Sequence, residues 1–237
     1  ETKTALYRWI DRFQGKIFIN ADDQILKLHR PNVPCITYGE EFGDVKGTLN
    51  KLNPFVNFSW SNKDYQSPDL ETQMVGRYNF TNYLAAAAIG YHFGVSGEMI
   101  DEALTEYRPS NNRSQVTKTD KNTLIVDCYN ANATSMKAAL ESFFEVDHDN
   151  KLVILGDMLE LGEISLQEHQ NIVDLVSKHP VEVMLVGEEF GKVKGDLDWF
   201  ANWQQAADQI DILNIKDYLV LLKGSRGIRL ENLIELL

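Results

Sequence analysis

Apolar and polar positions follow two different periods along this chain, and the changes of period mark its elements. The clearest case is Thr123-Leu-Ile-Val126, an apolar, β-branched run that ends in Asp127. It predicts a buried strand and a polar turn, then a helix through Lys137-Ala-Ala-Leu-Glu-Ser-Phe-Phe144, with Thr134 or Ser135 as the expected N-cap. A strand that ends in a carboxylate and feeds a helix N-terminus is the layout of a ligand site in an open α/β sheet. The turn offers Asp127, Tyr129, Asn130 and Asn132. Its Asp and Asn side chains either bond their own backbone and simply make the turn, or face a ligand.

Upstream, Leu6, Trp9, Ile10 and Phe13 recur at helical spacing from the first residues, with no cap or lead-in. So abrupt a start is expected of a piece of a longer polypeptide. Lys16-Ile-Phe-Ile-Asn20 and Cys35-Ile-Thr-Tyr38 read as buried strands of a parallel sheet. From Asp44 to Met74 the period shortens to two, with Val56, Phe58 and Trp60 on one side and then Leu70, Thr72 and Met74. This predicts antiparallel strands added at a sheet edge. The alanine-rich stretch Tyr83–Phe93 is a strong helix. Just before it, Asn79 and Asn82 either project from one face near the helix start, or one of them caps it. A second helix, Glu98–Tyr107, stops before Arg108-Pro109.

Pro109-Ser-Asn-Asn-Arg-Ser114 is polar and turn-rich, and separates a predicted domain of residues 1–108 from one of 109–237. Strands at Leu124–Asp127, Leu152–Leu155, Glu182–Val186 and Tyr218–Leu222 then alternate with helices near 134–146, 165–178, 188–195, 203–213 and 226–236. That alternation predicts an α/β fold, a parallel sheet with helices on both faces. His148 and His179 fall in polar connections, where no specific role is expected.

Charge narrows the function. With 35 Asp and Glu against 23 Lys and Arg, the net charge is −12. This argues against a general affinity for nucleic-acid backbones or anionic membranes, and leaves room for a local basic site. The two cysteines, Cys35 and Cys128, are too few for a disulfide framework and are expected to stay reduced, as in a cytoplasm. The sequence has no apolar run long enough to predict membrane insertion.

No phosphate-loop or dinucleotide fingerprint occurs. Gly187-Glu-Glu-Phe-Gly191-Lys192 is one residue short of the former and lacks its Ser or Thr. Gly224-Ser-Arg-Gly227 lacks nucleophile-elbow spacing, and no Cys/His cluster has zinc spacing. What remains is a set of polar loops after strands. One is Gly156-Asp-Met-Leu-Glu-Leu-Gly162; another is Lys223-Gly-Ser-Arg226, at the opening of the last predicted helix. Backbone N–H groups there, with Lys223 and Arg226, form an anion or carboxylate site, unless the basic residues only face water.

Five stretches together resemble the Mur ligases of peptidoglycan synthesis, most of all their dipeptide-adding branch. They are Gly76-Arg-Tyr-Asn-Phe-Thr-Asn82, Arg113, Asp127–Met136, Leu155–Glu163 and Leu222-Lys-Gly-Ser-Arg-Gly227, in the family's order. The resemblance implies the second half of a central ATPase domain followed by a Rossmann-like C-terminal domain. The phosphate loop and a UDP-sugar domain would then lie upstream of Glu1, while the Leu237 end looks natural. It also implies a reaction. ATP phosphorylates the carboxylate of UDP-N-acetylmuramoyl-tripeptide, the amine of D-alanyl-D-alanine attacks the acyl phosphate, and magnesium offsets phosphoryl charge. The chain alone is expected to be inactive without the missing N-terminal half.

By that resemblance Asn79 and Asn82 lie by the adenine, and Arg113 and Asp127 approach the ribose and phosphates. Tyr129, Asn130 and Asn132 complete the nucleotide-facing loop. Asp157, Glu160, Lys223, Ser225 and Arg226 face the incoming dipeptide. Lys3 either matches a lysine that the family carbamylates to help hold magnesium, or is a mobile surface lysine. Two departures stand out: Tyr78 where the family usually has His, and Ala133 where it usually has Pro. The rival readings are a non-catalytic peptide- or nucleotide-binding module with the same fold, and a sister ligase adding a single amino acid.

Overall fold

The computed structural model describes residues 2–29, 32–52, 54–110 and 112–237, with side chains from residue 5 onward. Two compact units are present. Unit one runs up to Thr72 and again from Arg77 to Tyr107; unit two comprises Gln73–Gly76 and Arg108–Leu237.

In unit one, α1 (Thr2–Arg12) precedes β1 (Ile17–Asn20). The one-turn α2 (Gln24–Leu28) is capped by Asp23, which accepts from the Ile25 and Leu26 N–H groups. Then come β2 (Cys35–Gly39), β3 (Val45–Leu52), β4 (Phe55–Ser61) and β5 (Leu70–Val75). Among the described residues they form one sheet in the order β1-β2-β3-β4-β5. The first three run parallel, and β4 turns back antiparallel to β3. The predicted period of two is visible in β4, where Val56, Phe58 and Trp60 are buried and their neighbours are only partly so.

The long helix α3 (Arg77–His92) lays Phe80, Tyr83, Leu84 and Ala87 on this sheet. The Phe58 ring meets Phe80 edge-on at 5.5 Å and stacks on Tyr83 at 5.3 Å. Gly47 permits that closeness, since a Cβ there would lie 2.4 Å from a Leu84 methyl. The helix begins at Arg77, earlier than the alanine run predicts, so neither Asn79 nor Asn82 caps it; both lie inside its first turns. The next helix, α4 (Gly97–Glu106), is capped by Ser96 and carries the buried Asp101. Asp101 accepts from Trp60 Nε1 at 2.6 Å and from the Tyr65 hydroxyl at 2.7 Å, and this bond pushes the Tyr65 phenol up to about 12.

Unit two contains β6 (Gln115–Lys118), β7 (Thr123–Asp127), α5 (Ala133–Glu145), β8 (Lys151–Gly156), α6 (Ser165–Val176) and β9 (Glu182–Val186). It continues with α7 (Glu188–Gly191), β10 (Asp198–Phe200), α8 (Trp203–Leu213) and β11 (Leu219–Lys223). The sheet order is β10-β9-β8-β11-β7-β6, parallel except for the antiparallel edge strand β6. From β7 the chain steps outward through β8 and β9 to β10, then returns to β11 in the gap it left. Right-handed crossovers therefore put α5 and α6 on one face and α8 on the other. On the α8 face Ala206 and Ile210 join Val126, Ile154, Val220 and Leu222 in one buried core, closed by Leu230 and Leu233.

Three expectations change here. The α5 N-cap is Asn132, not Thr134 or Ser135: Asn132 accepts from the Ser135 N–H, and Ser135 Oγ accepts from the Asn132 N–H, a reciprocal capping box. The helix expected at 188–195 is the single turn α7. The one expected at 226–236 is instead two 3₁₀ turns, Arg226–Ile228 and Leu230–Leu233, because Arg229 between them holds φ at +61°, which an α-helix cannot contain. Among the described residues no helix is long and apolar enough to cross a membrane.

Asp101→Ala leaves the Trp60 and Tyr65 donors unanswered in a buried setting. The expected loss is about 1–3 kcal/mol per orphaned donor, with Trp60 carrying most of it. Urea unfolding of wild type and variant measures it, and Asp101→Asn recovers part of the loss.

Candidate functional site

The site begins with register. Because β11 lies between β7 and β8, its last residue, Lys223, pairs across the sheet with both Asp127 and Leu155. Three strand ends therefore meet side by side, and the loops that leave them share a rim. Lys223 is 1% exposed, and its Nζ donates to Asp127 Oδ2 at 2.6 Å and to the Asn130 carbonyl at 3.4 Å. An ammonium so enclosed needs a carboxylate beside it to remain charged. Asp127 Oδ1 in turn accepts from the Ser114 N–H at 3.3 Å. Asn112 and Ser114 hold φ at +55° and +51°, a strained turn that this contact helps secure and that carries Arg113 between them.

Two residues beyond Asp127 stands Tyr129, 40% exposed. The Arg113 guanidinium lies 3.8 Å from its ring centroid and that of Arg226 lies 6.0 Å away. Two exposed guanidiniums thus lie close to one aromatic ring, a donor set suited to phosphate or carboxylate oxygens. Asn130 is exposed, with its Oδ1 held by the Ala131 N–H. Ser225 is 3% exposed and ties three loops together. Its Oγ accepts from the Leu159 N–H at 2.9 Å and donates to the Ala131 carbonyl at 3.5 Å, and its N–H donates to the Asp157 carbonyl.

The structure therefore brings Arg113, Asp127, Tyr129, Asn130, Lys223, Ser225 and Arg226 into one connected group. Lys223, expected on the dipeptide side, is buried against Asp127 instead. The Asn132 side chain is committed to capping α5. Asp157 points inward: its two oxygens accept from the Glu189 and Phe190 N–H groups, both at 2.9 Å, at the start of α7. Burial raises its pKa, opposed by those two bonds. Gly187 makes room for it, since a Cβ there would lie 2.3 Å from the Asp157 carboxyl carbon, and φ is +119°. The near-miss phosphate loop is thus filled by a carboxylate of the same chain. Glu160 is exposed, at φ +69°.

In unit one, Asn82 Nδ2 donates to Asn79 Oδ1 at 3.0 Å, so the two do share a face of α3. The side chain of Lys3 lies outside the described residues. Burial pushes the Cys128 thiol far up, with the Asp127 charge adding to the effect. His179, expected to do nothing specific, stacks on Phe144 at 3.7 Å. One residue escaped the sequence reading altogether: His169, fully buried on α6 beside Asp157. Its signal was its place in the helical stripe His169-Ile172-Val173-Val176, a polar residue on an otherwise apolar face.

Known proteins resemble this chain in sequence and in fold. Residues 112–226 match the Mur ligase, glutamate ligase domain family. The UDP-N-acetylmuramoyl-tripeptide–D-alanyl-D-alanine ligase of Treponema pallidum is 32% identical over 183 residues, which span 73% of this chain and 40% of that protein. A crystal structure of MurF from Acinetobacter baumannii superposes with a TM-score of 0.84 at 26% identity, over 98% of this chain and 53% of the other. A MurF ligase from Thermotoga maritima, solved in complex with ADP, shares the fold with a TM-score of 0.79 at 19% identity, over 94% of this chain and 52% of that one. In fold and strand-end loops the chain is similar to the Mur ligases, and residues 112–226 match their glutamate ligase domain. Within that class, the relatives and structures named here are the D-alanyl-D-alanine-adding MurF ligases. The chain spans about 40% of the length of such a relative and about half of the solved ones.

Lys223→Met strands the Asp127 carboxylate in a half-enclosed site and is expected to cost unit two about 3–5 kcal/mol. The double variant Asp127→Asn/Lys223→Met loses less than the single one. Denaturant unfolding followed by Trp199 and Trp203 fluorescence reads both.

Proposed function

We propose that this chain is the C-terminal portion of an ATP-dependent ligase that joins D-alanyl-D-alanine to UDP-N-acetylmuramoyl-tripeptide, and that unit two supplies the rim facing nucleotide and amine. The observation that carries the reading is the convergence of the Arg113 and Arg226 guanidiniums on the Tyr129 ring, on the loop that leaves the paired Asp127, in a chain similar to proteins that bear that ligase name. The donor set fits a polyphosphate. Both guanidiniums are exposed, and each carries a planar fork of donors that matches phosphate oxygens.

ATP, when bound, supplies the phosphoryl group that turns a carboxylate into a reactive acyl phosphate. The work of this chain is to bind and orient. Arg113 holds phosphate oxygens, while Asp127 keeps the Arg113 turn in place through the Ser114 N–H. Arg226, on the loop knotted by Ser225, meets the carboxylate of the incoming dipeptide, with Glu160 exposed on the neighbouring loop to meet its amine. Magnesium is also expected in such a reaction. Among the described residues no three Asp, Glu, His or Cys side chains are placed to hold a metal, so no step here is drawn through it. A nucleotide-linked precursor and ATP together make the cytoplasm the natural setting, with the missing N-terminal half as the essential partner.

The test is ADP release that requires both the tripeptide precursor and D-alanyl-D-alanine, measured on a polypeptide extended upstream. The extended protein is expected to turn over, and the present chain alone is not. Arg113→Ala is expected to raise the KM for ATP about tenfold or more, the loss of one charge-assisted contact, with unfolding unchanged. ADP release indifferent to the dipeptide, or an Arg113→Ala variant with normal KM, would overturn the reading.

A further inference from the structure

We infer that His169, whose side chain is fully enclosed behind the rim, is a positioning residue for it. Its imidazole is completely enclosed, on α6, with its edge against the Phe190 ring at 4.6 Å. Nε2 lies 3.0 Å from the Met158 N–H and Nδ1 lies 2.8 Å from the Ser165 carbonyl. A peptide N–H can only donate and a carbonyl can only accept, so Nε2 is bare and Nδ1 carries the proton. The ring is neutral, and its 3.8 Å approach to Asp157 Oδ1 is not an ion pair.

What the bare nitrogen holds decides its role. Met158 leads directly into Leu159, whose N–H donates to Ser225 Oγ; Ser225 reaches the Ala131 carbonyl on the Tyr129 loop and is followed by Arg226. One acceptor on α6 thus anchors the first link of a hydrogen-bonded series that ends at the Tyr129 loop and at Arg226. The surrounding network supports that geometry. Asp157 ties α7 to the loop after β8, the Ser165 hydroxyl ties it to α6 by donating to Glu189 Oε2 at 2.9 Å, and Glu189 is paired with Lys192. The assignment deepens the ligase reading by naming what fixes the rim, and it rests on that reading for what the rim binds. Its test needs no nucleotide.

The test compares the present chain with His169→Phe, which keeps an aromatic ring on Phe190 but has no acceptor, and His169→Gln, whose Oε1 can stand where Nε2 stood. Amide exchange is the readout. In the Phe variant the Met158 and Leu159 amides are expected to exchange roughly tenfold faster or more, as are those of Ile228 and Arg229 beyond Ser225, while the amides of β7 stay as slow as in wild type. The Gln variant is expected to restore most of the protection. A purely packing role predicts the reverse, with Gln worse than Phe, and that result overturns the proposal. So does unchanged exchange at Leu159 in the Phe variant. Should that variant fail to fold, nitrogen-resolved NMR of the wild-type imidazole decides: a proton on Nδ1 supports the assignment, and one on Nε2 sinks it.

Discussion

An ammonium group cannot remain charged inside a sheet unless a carboxylate shares its enclosure, and everything at the rim of unit two depends on that requirement being met by Asp127 and Lys223. The pair joins the ends of two central strands. It also reaches beyond them, since Asp127 holds the turn before β6 and Lys223 holds the Asn130 carbonyl. The cost of burying two charges is offset because the second carboxylate oxygen and the ammonium each find a further partner. The exposed, reactive-looking side chains, Arg113 and Arg226, are thereby mounted on loops whose backbones are tied to the core.

Much of the fold was legible in the sequence, for a simple reason. Parallel strands buried on both faces must be written as unbroken apolar runs, and Leu124–Val126, Leu152–Leu155 and Leu219–Leu222 leave little choice. The strands that went unseen, β6 and β10, are short and lie at the two edges, where one side has no neighbouring strand and the pattern is weak. The missed start of α3 has a different cause: an alanine run advertises a helix so strongly that the polar turn before it looks like a cap. At the C-terminal end, helical spacing was present, but a single residue, Arg229, in the left-handed region broke the helix into 3₁₀ turns.

The site was legible in its members and much less in their duties. Arg113, Asp127, Tyr129 and Arg226 do converge. Yet of the polar residues that sequence alone points toward a ligand, Asn132, Asp157, Lys223 and Ser225 spend their hydrogen bonds inside the protein. Single letters cannot separate the two uses, because a side chain that shapes a loop and one that greets a ligand stand in the same few positions. Asn79 and Asn82 illustrate the same ambiguity: their three-residue spacing correctly places them on one face, and their mutual bond is a use that spacing does not reveal.

One further consequence follows from the carboxylate that Asp157 lodges at the head of α7. A helix start with free N–H groups would attract any small anion from solution, but this one brings its own and is already neutralised. Attraction on this side of the sheet is left to two guanidiniums on a molecule whose overall field is repulsive to anions. Added salt then weakens the close contact while screening the long-range repulsion. Capture of an anionic ligand should accordingly vary little with ionic strength, in contrast to the steep loss that marks proteins with a broadly basic surface.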